Sequence, residues 1–261
     1  LFTLHGFIEV RAELASIERV VVEYQPDAVL HLAAQTQVPT ANRSPRSTFE
    51  SNVAGTWELL EALRLHGTAR SIVVASSDKA YGRAPPPYTE HTPLDPVAPY
   101  DVSKACTDLI ARCYGSHFGL PVTVTRCGNL FGPGDLNEDR LVPGVVAALR
   151  RGEAPVLRSR GRMSREWLYV DDAAEANLLL LDRAPGGACN VGGGEVATAL
   201  EVTEALVALS GLDLRPSVAA EDPRGEIPHQ ALDCSRLGGL GWSARVSLAE
   251  GLARTWSAGG R

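Results

Sequence analysis

A tyrosine and a lysine four positions apart are the first residues in this sequence whose types and spacing indicate chemistry. Tyr100 and Lys104 fall one turn apart on a predicted helix, so their side chains share a face. A nearby ammonium group lowers the pKa of a phenol, which lets the phenolate take a proton from a hydroxyl group near neutral pH. The pair is therefore predicted to act as a general base. A solvated helix pair without a function is the alternative.

A second group of polar residues follows a short apolar run at 71–75 that is typical of a buried strand. Ser77, Asp78 and Lys79 place a hydroxyl, a carboxylate and an ammonium group in consecutive positions. Such groups can serve as hydrogen-bond donor, acid and base, and in open α/β sheets they collect beyond the carboxyl ends of strands. A polar loop with a surface ion pair is the alternative.

Lysine usage points to the same two segments without any family knowledge. Only two of the 25 basic residues are lysines, and they are Lys79 and Lys104. A coding bias towards arginine explains the other 23 positions. Lysine is a compact charge whose pKa can be lowered, so it persists where arginine cannot replace it.

The elements that must position these residues follow from hydrophobic periodicity. Short β-branched apolar runs alternate with amphipathic helices, which predicts a doubly wound, Rossmann-type parallel sheet of the α/β class. The predicted strands of this sheet are Ala28–Ala33, Ser71–Ala75 and Val122–Thr125, and the predicted helices are Ala12–Tyr24, Phe49–His66 and Ser103–Phe118.

Beyond Gly132 the turn residues multiply and the elements become shorter. The sequence predicts one domain over residues 1–132, to which 167–185 return, and a smaller lobe from 133–166 and 186–261. A glycine-rich phosphate turn of the GxGxxG type does not open the chain, and Gly192–Gly194 is interpreted as an ordinary turn. The phosphate loop of such a fold is therefore expected upstream of Leu1.

Composition excludes several classes of protein. The net charge of −6, with arginines scattered along the chain, argues against nucleic-acid binding. No apolar run reaches the roughly 18 residues that a membrane helix needs. The five cysteines lack metal-ligand spacing, so the sequence predicts no metal site and reduced thiols in a cytoplasmic protein.

Four motifs in order carry a family resemblance: His31-Leu32-Ala33-Ala34-Gln35, Asn52-Val53-Ala54-Gly55-Thr56, Ser76-Ser77-Asp78-Lys79-Ala80-Tyr81-Gly82 and Tyr100-x-x-x-Lys104. Together they resemble the extended short-chain dehydrogenase/reductase family of NAD-dependent nucleotide-sugar epimerases and dehydratases. The later segments 126–137, 140–143, 228–231 and 240–242 are similar to the CDP-glucose 4,6-dehydratase branch. Asp78-Lys79 supports that branch, since dTDP-glucose dehydratases carry Asp-Glu there and 4-epimerases usually have neither.

The resemblance implies a reaction without net redox change. Tyr100, assisted by Lys104 and Ser77, would remove the sugar 4-hydroxyl proton while hydride passes from C4 to NAD. Asp78 would protonate the departing 6-hydroxyl group, and Lys79 would assist at C5. Hydride then returns to C6 and leaves a 4-keto-6-deoxy sugar.

The resemblance also implies binding residues and a partner. NAD would lie in the domain at 1–132 and the nucleotide sugar in the smaller lobe. The residues implied along NAD are Glu9, Leu32, Ala33, Ala34, Gln35, Tyr100, Lys104 and Cys127. Those proposed for the diphosphate and sugar are Asn129, Arg158, Arg165 and Arg224. His31, His229 and the Cys127 thiol are expected to be structural.

A homodimer through a four-helix interface is implied as well, formed by the helices at 52–66 and 103–118. Two alternatives to the dehydratase stay open. One is a 4-epimerase, and the other is a catalytically impaired member without the phosphate loop.

Overall fold

The computed structural model describes residues 16–221 and 227–258, and contacts within the chain divide it into two units. The described residues of the first unit are 16–80, 96–126 and 177–189. Those of the second are 81–95, 127–176, 190–221 and 227–258. Helix α7, Val170–Arg183, begins in the second unit and ends in the first.

The main sheet has the strand order β1-β2-β3-β7. Its strands are β1 Ala28–His31, β2 Ser71–Ala75, β3 Val122–Cys127 and β7 Gly187–Val191. β1 pairs with β2, and β2 with β3, in parallel, so their carboxyl ends lie at one edge of the sheet. β2 and β3 are almost entirely buried, which explains the apolar, β-branched run of β2 and the alternating valines and threonines of β3.

Along the chain, six helical segments of the first unit lie before or between strands β1, β2 and β3. They are α1 Ile17–Tyr24, α2 Val38–Arg43, α3 Pro45–Phe49, a π-helix Glu50–Ala54, α4 Gly55–His66 and α5 Pro99–Phe118. Leu60 of α4 and Ala111 of α5 pack with Ile72, Val74 and Val124 of the strands in one buried core. A short 3₁₀-helix, Asp78–Tyr81, follows β2.

The predicted helix over 49–66 is interrupted by the π-helix Glu50–Ala54. Its wider turns change the backbone hydrogen-bond pattern of the helix around Asn52. The Asn52 carbonyl accepts hydrogen bonds from Thr56 Oγ1 (2.7 Å) and Thr107 Oγ1 (3.0 Å). Hydrophobic periodicity could not show this interruption, because the segment has the same apolar residues whether its turns are π-helical or α-helical. Such π-turns occur frequently at functional sites.

The second unit contains a mixed three-stranded sheet with the order β4-β6-β8. Its strands are β4 Asn129–Phe131, β6 Ser164–Tyr169 and β8 Glu195–Thr198; a separate parallel pair joins β5 Val156–Leu157 and β9 Ser217–Val218. Its other helices are α6 Leu141–Arg150, α8 Ala199–Ser210, α9 Ser235–Gly239 and α10 Leu248–Ala258. Phe131, Trp167, Tyr169, Leu206 and Leu252 form its buried core.

Gly192–Gly194 form a turn between β7 and β8, as predicted. The Glu166 carboxylate accepts the Gly193 N–H, and a Cβ at Gly194 would come within 1.8 Å of the Trp167 carbonyl oxygen. These glycines are therefore required for close backbone packing, not for binding phosphate.

The unit boundaries differ from the predicted domain ranges over residues 81–95, 127–132, 167–176 and 186–189. Residues 81–95 belong to the second unit, where the Tyr88 N–H donates to the Ala231 carbonyl (2.9 Å). The segment of the first unit that follows β3 is 177–189 and includes most of β7. Periodicity could not place these segments, because their partners are distant in sequence.

Several predicted elements also have different ends. β1 stops at His31, so Leu32 and Ala33 lie in the following loop, and α5 begins at Pro99, a residue that is favoured in the first helical turn. None of the described helices is long and apolar enough to cross a membrane. The five cysteines are all among the described residues, and no disulfide joins them.

Candidate active site at the carboxyl ends of the strands

The residues after β2 form a tight, mostly buried polar turn. Ser77 Oγ donates to Asp78 Oδ1 (3.1 Å) and accepts from the Lys79 backbone N–H (3.2 Å). The pairing of β2 with β3 continues to Ser76, whose N–H donates to the Thr125 carbonyl (2.7 Å). Ser77 and Asp78 are buried, while Lys79 is half-buried. Sheet pairing thus holds a hydroxyl and a carboxylate group at the carboxyl end of β2.

Helix α5 brings Lys104 to the same place. The Lys104 side chain is buried, and its Nζ donates to the Ala75 carbonyl (2.9 Å) at the end of β2. In the opposite direction, Ser76 Oγ donates to the Lys104 carbonyl (2.9 Å). Tyr100 lies one helical turn earlier and is half-buried. The first unit therefore gathers the five predicted catalytic residues on the end of β2 and on the helix packed beside it.

Asn52 is a site residue that received no role from the sequence. Its Nδ2 donates to the Gln35 carbonyl (3.0 Å), and its Oδ1 accepts the Gln35 N–H (2.6 Å). Nδ2 also donates to Ser103 Oγ (2.9 Å), which in turn donates to the Tyr100 carbonyl (2.7 Å). Asn52 thus connects the loop after β1 with the first turns of α5. Asn52 opens the motif Asn52-Val53-Ala54-Gly55-Thr56, which carries part of the family resemblance, and this position could have indicated a role in the site.

His31, at the end of β1, is a neutral neighbour of Lys104. Burial, and then the positive charge of Lys104, lower the pKa of His31 from 6.5 to about 4. Its Nε2 lies 3.1 Å from Thr56 Oγ1, whose own proton is donated to the Asn52 carbonyl. His31 Nε2 is therefore the donor in this bond. These contacts agree with the structural role expected for His31.

Besides Tyr100 and Lys104 of α5, the described residues predicted along NAD lie in the loop after β1 and at the end of β3. The Leu32 side chain is 58% exposed, Ala33 is exposed, and Ala34 and Gln35 are half-buried after the end of β1. Cys127 is the last residue of β3. Small side chains on an accessible loop at the carboxyl ends of parallel strands fit an extended dinucleotide. Glu9 lies outside the described residues.

The predicted substrate residues in the second unit have separate local partners. Asn129 begins β4, and its buried Nδ2 has no hydrogen-bond partner within the described part of the chain. Arg165 Nη1 donates to the Ser164 carbonyl (2.9 Å), while the exposed Arg158 forms an ion pair with Asp139 (2.8 Å). Arg224 lies outside the described residues.

The structure is that of a Rossmann-type α/β enzyme. A Tyr-Lys pair and a polar turn lie at the carboxyl ends of its strands. The NAD dependent epimerase/dehydratase family matches residues 9–192. The dTDP-glucose 4,6-dehydratase of Xanthomonas campestris pv. campestris (strain ATCC 33913) is 34% identical over 262 residues, covering 92% of this chain and 74% of that protein.

Solved structures agree with this result. DesIV, a dTDP-glucose 4,6-dehydratase from Streptomyces venezuelae with NAD and TYD bound, has a TM-score of 0.86 and 32% identity, covering 94% of this chain and 76% of that one. A UDP-glucose 4-epimerase from Thermotoga maritima with UDP-glucose has a TM-score of 0.87 and 29% identity, covering 94% and 81%.

The chain belongs to the NAD-dependent epimerase/dehydratase family. The resemblance to the extended family of NAD-dependent epimerases and dehydratases is thereby confirmed, together with the α/β fold class, the NAD cofactor and the enzyme class. The comparisons include both dehydratases and epimerases, and the named dehydratases use dTDP-glucose.

Proposed function

We propose that the protein is a nucleotide-sugar 4,6-dehydratase that converts an NDP-hexose into its 4-keto-6-deoxy derivative. The observation that carries the proposal is the turn after β2. There the Asp78 carboxylate is buried against Ser77 Oγ, and Lys79 follows it in the same turn. A dehydratase needs an acid for the departing hydroxyl group and a base at the neighbouring carbon, and this turn offers both.

The chain's own groups divide the proposed reaction between two places. Tyr100, with Lys104 one helical turn away, takes the proton of the sugar 4-hydroxyl group, and Ser77 hydrogen-bonds to the same oxygen. Asp78 then donates a proton to the departing 6-hydroxyl group, while Lys79 removes the C5 proton. When bound, NAD supplies the hydride acceptor and donor. Leu32, Ala33, Ala34, Gln35 and Cys127 would hold it, with Tyr100 and Lys104 at its nicotinamide end.

For the nucleotide we propose cytidine diphosphate, so that the substrate is of the CDP-glucose type. The support is in the sequence, since Asp78-Lys79 and the segments 126–137, 140–143, 228–231 and 240–242 are similar to the CDP-glucose branch. The named dehydratase relatives support dTDP-glucose instead. Steady-state assays with CDP-, dTDP- and UDP-glucose at equal concentration decide this, and a higher kcat/KM for dTDP-glucose would contradict cytidine.

A 4-epimerase is the second candidate function, favoured by the structural similarity to the UDP-glucose 4-epimerase. Turnover in deuterated water separates the two. The dehydratase incorporates deuterium at C5 and accumulates a 4-keto-6-deoxy sugar with its alkaline absorbance. A product that keeps its C5 hydrogen and its 6-hydroxyl group would establish the epimerase.

The two units receive separate proposed roles. The first, with the parallel sheet and the Tyr-Lys pair, binds NAD. The second binds the diphosphate and sugar through Asn129, Arg158, Arg165 and Arg224. The buried Asn129 amide nitrogen has no hydrogen-bond partner among the described residues, which supports a polar ligand there, because an unsatisfied buried donor is costly.

A homodimer through α4 and α5 is proposed from their exposed apolar residues. Trp57 and Leu65 of α4 are 43% and 54% exposed, and Leu109 and Phe118 of α5 are 54% and 49% exposed. Burying such a surface against a second copy gives the four-helix interface. Light scattering should give twice the chain mass of 27.8 kDa, and a monomer at micromolar concentration would contradict the dimer. The cytoplasmic location also stays a prediction.

A further inference from the structure

A buried ion pair joins Asp108, one helical turn beyond Lys104 on α5, to Arg126 of β3. Arg126 Nε and Nη2 donate to the two carboxylate oxygens of Asp108 at 2.7 and 3.0 Å. The side chains are 2% and 0% exposed. Arg112 Nε reaches the same carboxylate from the solvent side at 2.6 Å. Neither Asp108 nor Arg126 has a part in the proposed proton transfers.

The pair joins α5 to a different strand from the one that Lys104 contacts. Lys104 is attached to β2 through Ala75 and Ser76, while Asp108 is attached to β3 through Arg126. Ala75 and Thr125 are register partners in these adjacent strands, so Arg126 and Ser76 lie at the same level of the sheet. Two attachments one turn apart on a helix fix both its position along its axis and its rotation about that axis.

We propose that Asp108 is a positioning residue, which holds α5 in the rotation that places the Lys104 ammonium at the end of β2 and Tyr100 towards the substrate. The inference rests on the proposed function for the catalytic roles of Tyr100 and Lys104. Asp108 acts through Lys104 and touches no reacting atom.

Stability alone does not explain the pair. Buried ion pairs pay a large desolvation cost, and replacing both partners by apolar residues of similar volume is often neutral or stabilising. A well-packed apolar contact could therefore have joined α5 and β3 equally well. Two charge-assisted hydrogen bonds in a bidentate arrangement add what an apolar contact lacks, a single defined geometry.

The test is the double variant Asp108→Leu with Arg126→Met, which removes both charges together. Because the chain has only two lysines, lysine labelled with ¹³C at Cε gives two side-chain NMR signals, assigned with Lys79→Arg and Lys104→Arg. We expect the Lys104 signal to shift and the Lys79 signal to stay. We also expect kcat to fall about 10- to 100-fold, the effect of a small misplacement of catalytic groups.

A control removes an exposed Asp–Arg ion pair at the opposite edge of the sheet. Asp27 and Arg70 precede β1 and β2, lie 3.3 Å apart and are 79% and 85% exposed. Asp27→Leu with Arg70→Met should leave both the Lys104 signal and kcat unchanged. A shift of the Lys104 signal in this control as large as in the double variant would overturn the proposal.

A folded double variant with an unchanged Lys104 signal and kcat within twofold of the parent would overturn the proposal. If the double variant does not fold, Asp108→Glu takes its place, since it keeps the charge but lengthens the side chain by one methylene group. An unchanged Lys104 signal in folded Asp108→Glu overturns the proposal equally. The NMR measurement needs no turnover, so a parent protein that converts no NDP-glucose would refute the proposed function and leave this test intact.

Discussion

The two lysines of the chain lie in contrasting surroundings. Lys104 is 4% exposed, and its ammonium group donates to a carbonyl at the end of a buried strand. Lys79 is half-buried; its backbone N–H is bound to Ser77 Oγ, but within the described residues no hydrogen bond or ion pair holds its ammonium group. One lysine is held at its charged end, and the other only at its backbone.

This difference matches the two proposed tasks. A charge that stabilises the Tyr100 phenolate works best when it is fixed before the reaction, since preorganised charges need no rearrangement. A group that takes a proton from C5 must reach a carbon atom of the substrate as a neutral amine, become an ammonium group on accepting the proton, and release the proton afterwards, which requires a mobile side chain. We therefore propose a fixed electrostatic role for Lys104 and a proton-transfer role for Lys79.

The largest effect is expected from Lys104→Arg. The planar guanidinium group cannot replace a buried ammonium group whose Nζ lies 2.9 Å from the Ala75 carbonyl. Loss of the assisted base should lower kcat by about 10²- to 10⁴-fold. Single-turnover absorbance of NADH measures the C4 oxidation directly. A variant that oxidises C4 within tenfold of the parent rate would contradict the fixed role of Lys104.

A smaller and more selective loss is expected from Lys79→Arg. The charge remains, but arginine does not release its proton, so incorporation of deuterium at C5 should fall by about 10²-fold. C4 oxidation should continue, because the Tyr100–Lys104 pair is intact, and NADH should accumulate in a single turnover. Mass spectrometry of the product in deuterated water measures the exchange, and unchanged turnover would refute the proposed role.

The chemistry-bearing residues and the sheet were predictable because both depend on local sequence. Ser71–Ala75 is a continuous apolar run in a buried parallel strand, and the polar turn that begins at Ser76 follows it directly. Once α5 forms, the Tyr100-x-x-x-Lys104 spacing places the two side chains one helical turn apart on the same face of the helix. For these residues the fold only had to place one strand end beside one helix.

The parts that the sequence did not predict depend on partners distant along the chain. Asn52 binds Gln35 and Ser103, which are 17 and 51 positions away. Asp108 meets Arg126 only because α5 packs on β3. The π-helix Glu50–Ala54 shares its apolar residues with an ordinary helix, so periodicity could not separate the two. Side-chain hydrogen bonds across elements leave no periodic signal.

A moderate effect is expected from Asn52→Ala, which removes the connection between α5 and the loop after β1. The Gln35 backbone loses two hydrogen bonds, of 2.6 and 3.0 Å, so the loop after β1 should loosen. We expect KM for NAD to rise about tenfold and the free energy of unfolding to fall by about 1–3 kcal/mol. Steady-state kinetics and urea unfolding measure the two quantities.

The control for Asn52 is Thr48→Val, which affects the same glutamine differently. Thr48 Oγ1 accepts a hydrogen bond from the Gln35 side chain (3.0 Å) and leaves the Gln35 backbone attached to Asn52. Its KM for NAD should stay within about twofold of the parent value. If both variants raise KM equally, the backbone attachment by Asn52 is not what orders the loop.

The smallest effect concerns His31, which should influence stability at low pH and not activity near neutral pH. Its pKa is about 4 in the folded protein, lowered by burial and by Lys104 from the 6.5 of an unfolded chain. The unfolded state therefore binds a proton first as pH falls. The stability contributed by neutral His31 is fully present above pH 6.5 and is lost progressively between pH 6.5 and 4, by at most about 3 kcal/mol.

His31→Gln should remove this part of the pH dependence, because glutamine keeps a donor for Thr56 but does not titrate. Urea unfolding from pH 4.5 to 7.5 should give a flatter stability curve for His31→Gln than for the parent. The surface variant His117→Gln, at an exposed position of α5, should follow the parent curve. Identical slopes for His31→Gln and the parent would show that burial and the charge of Lys104 together do not lower the pKa of His31 in the folded protein.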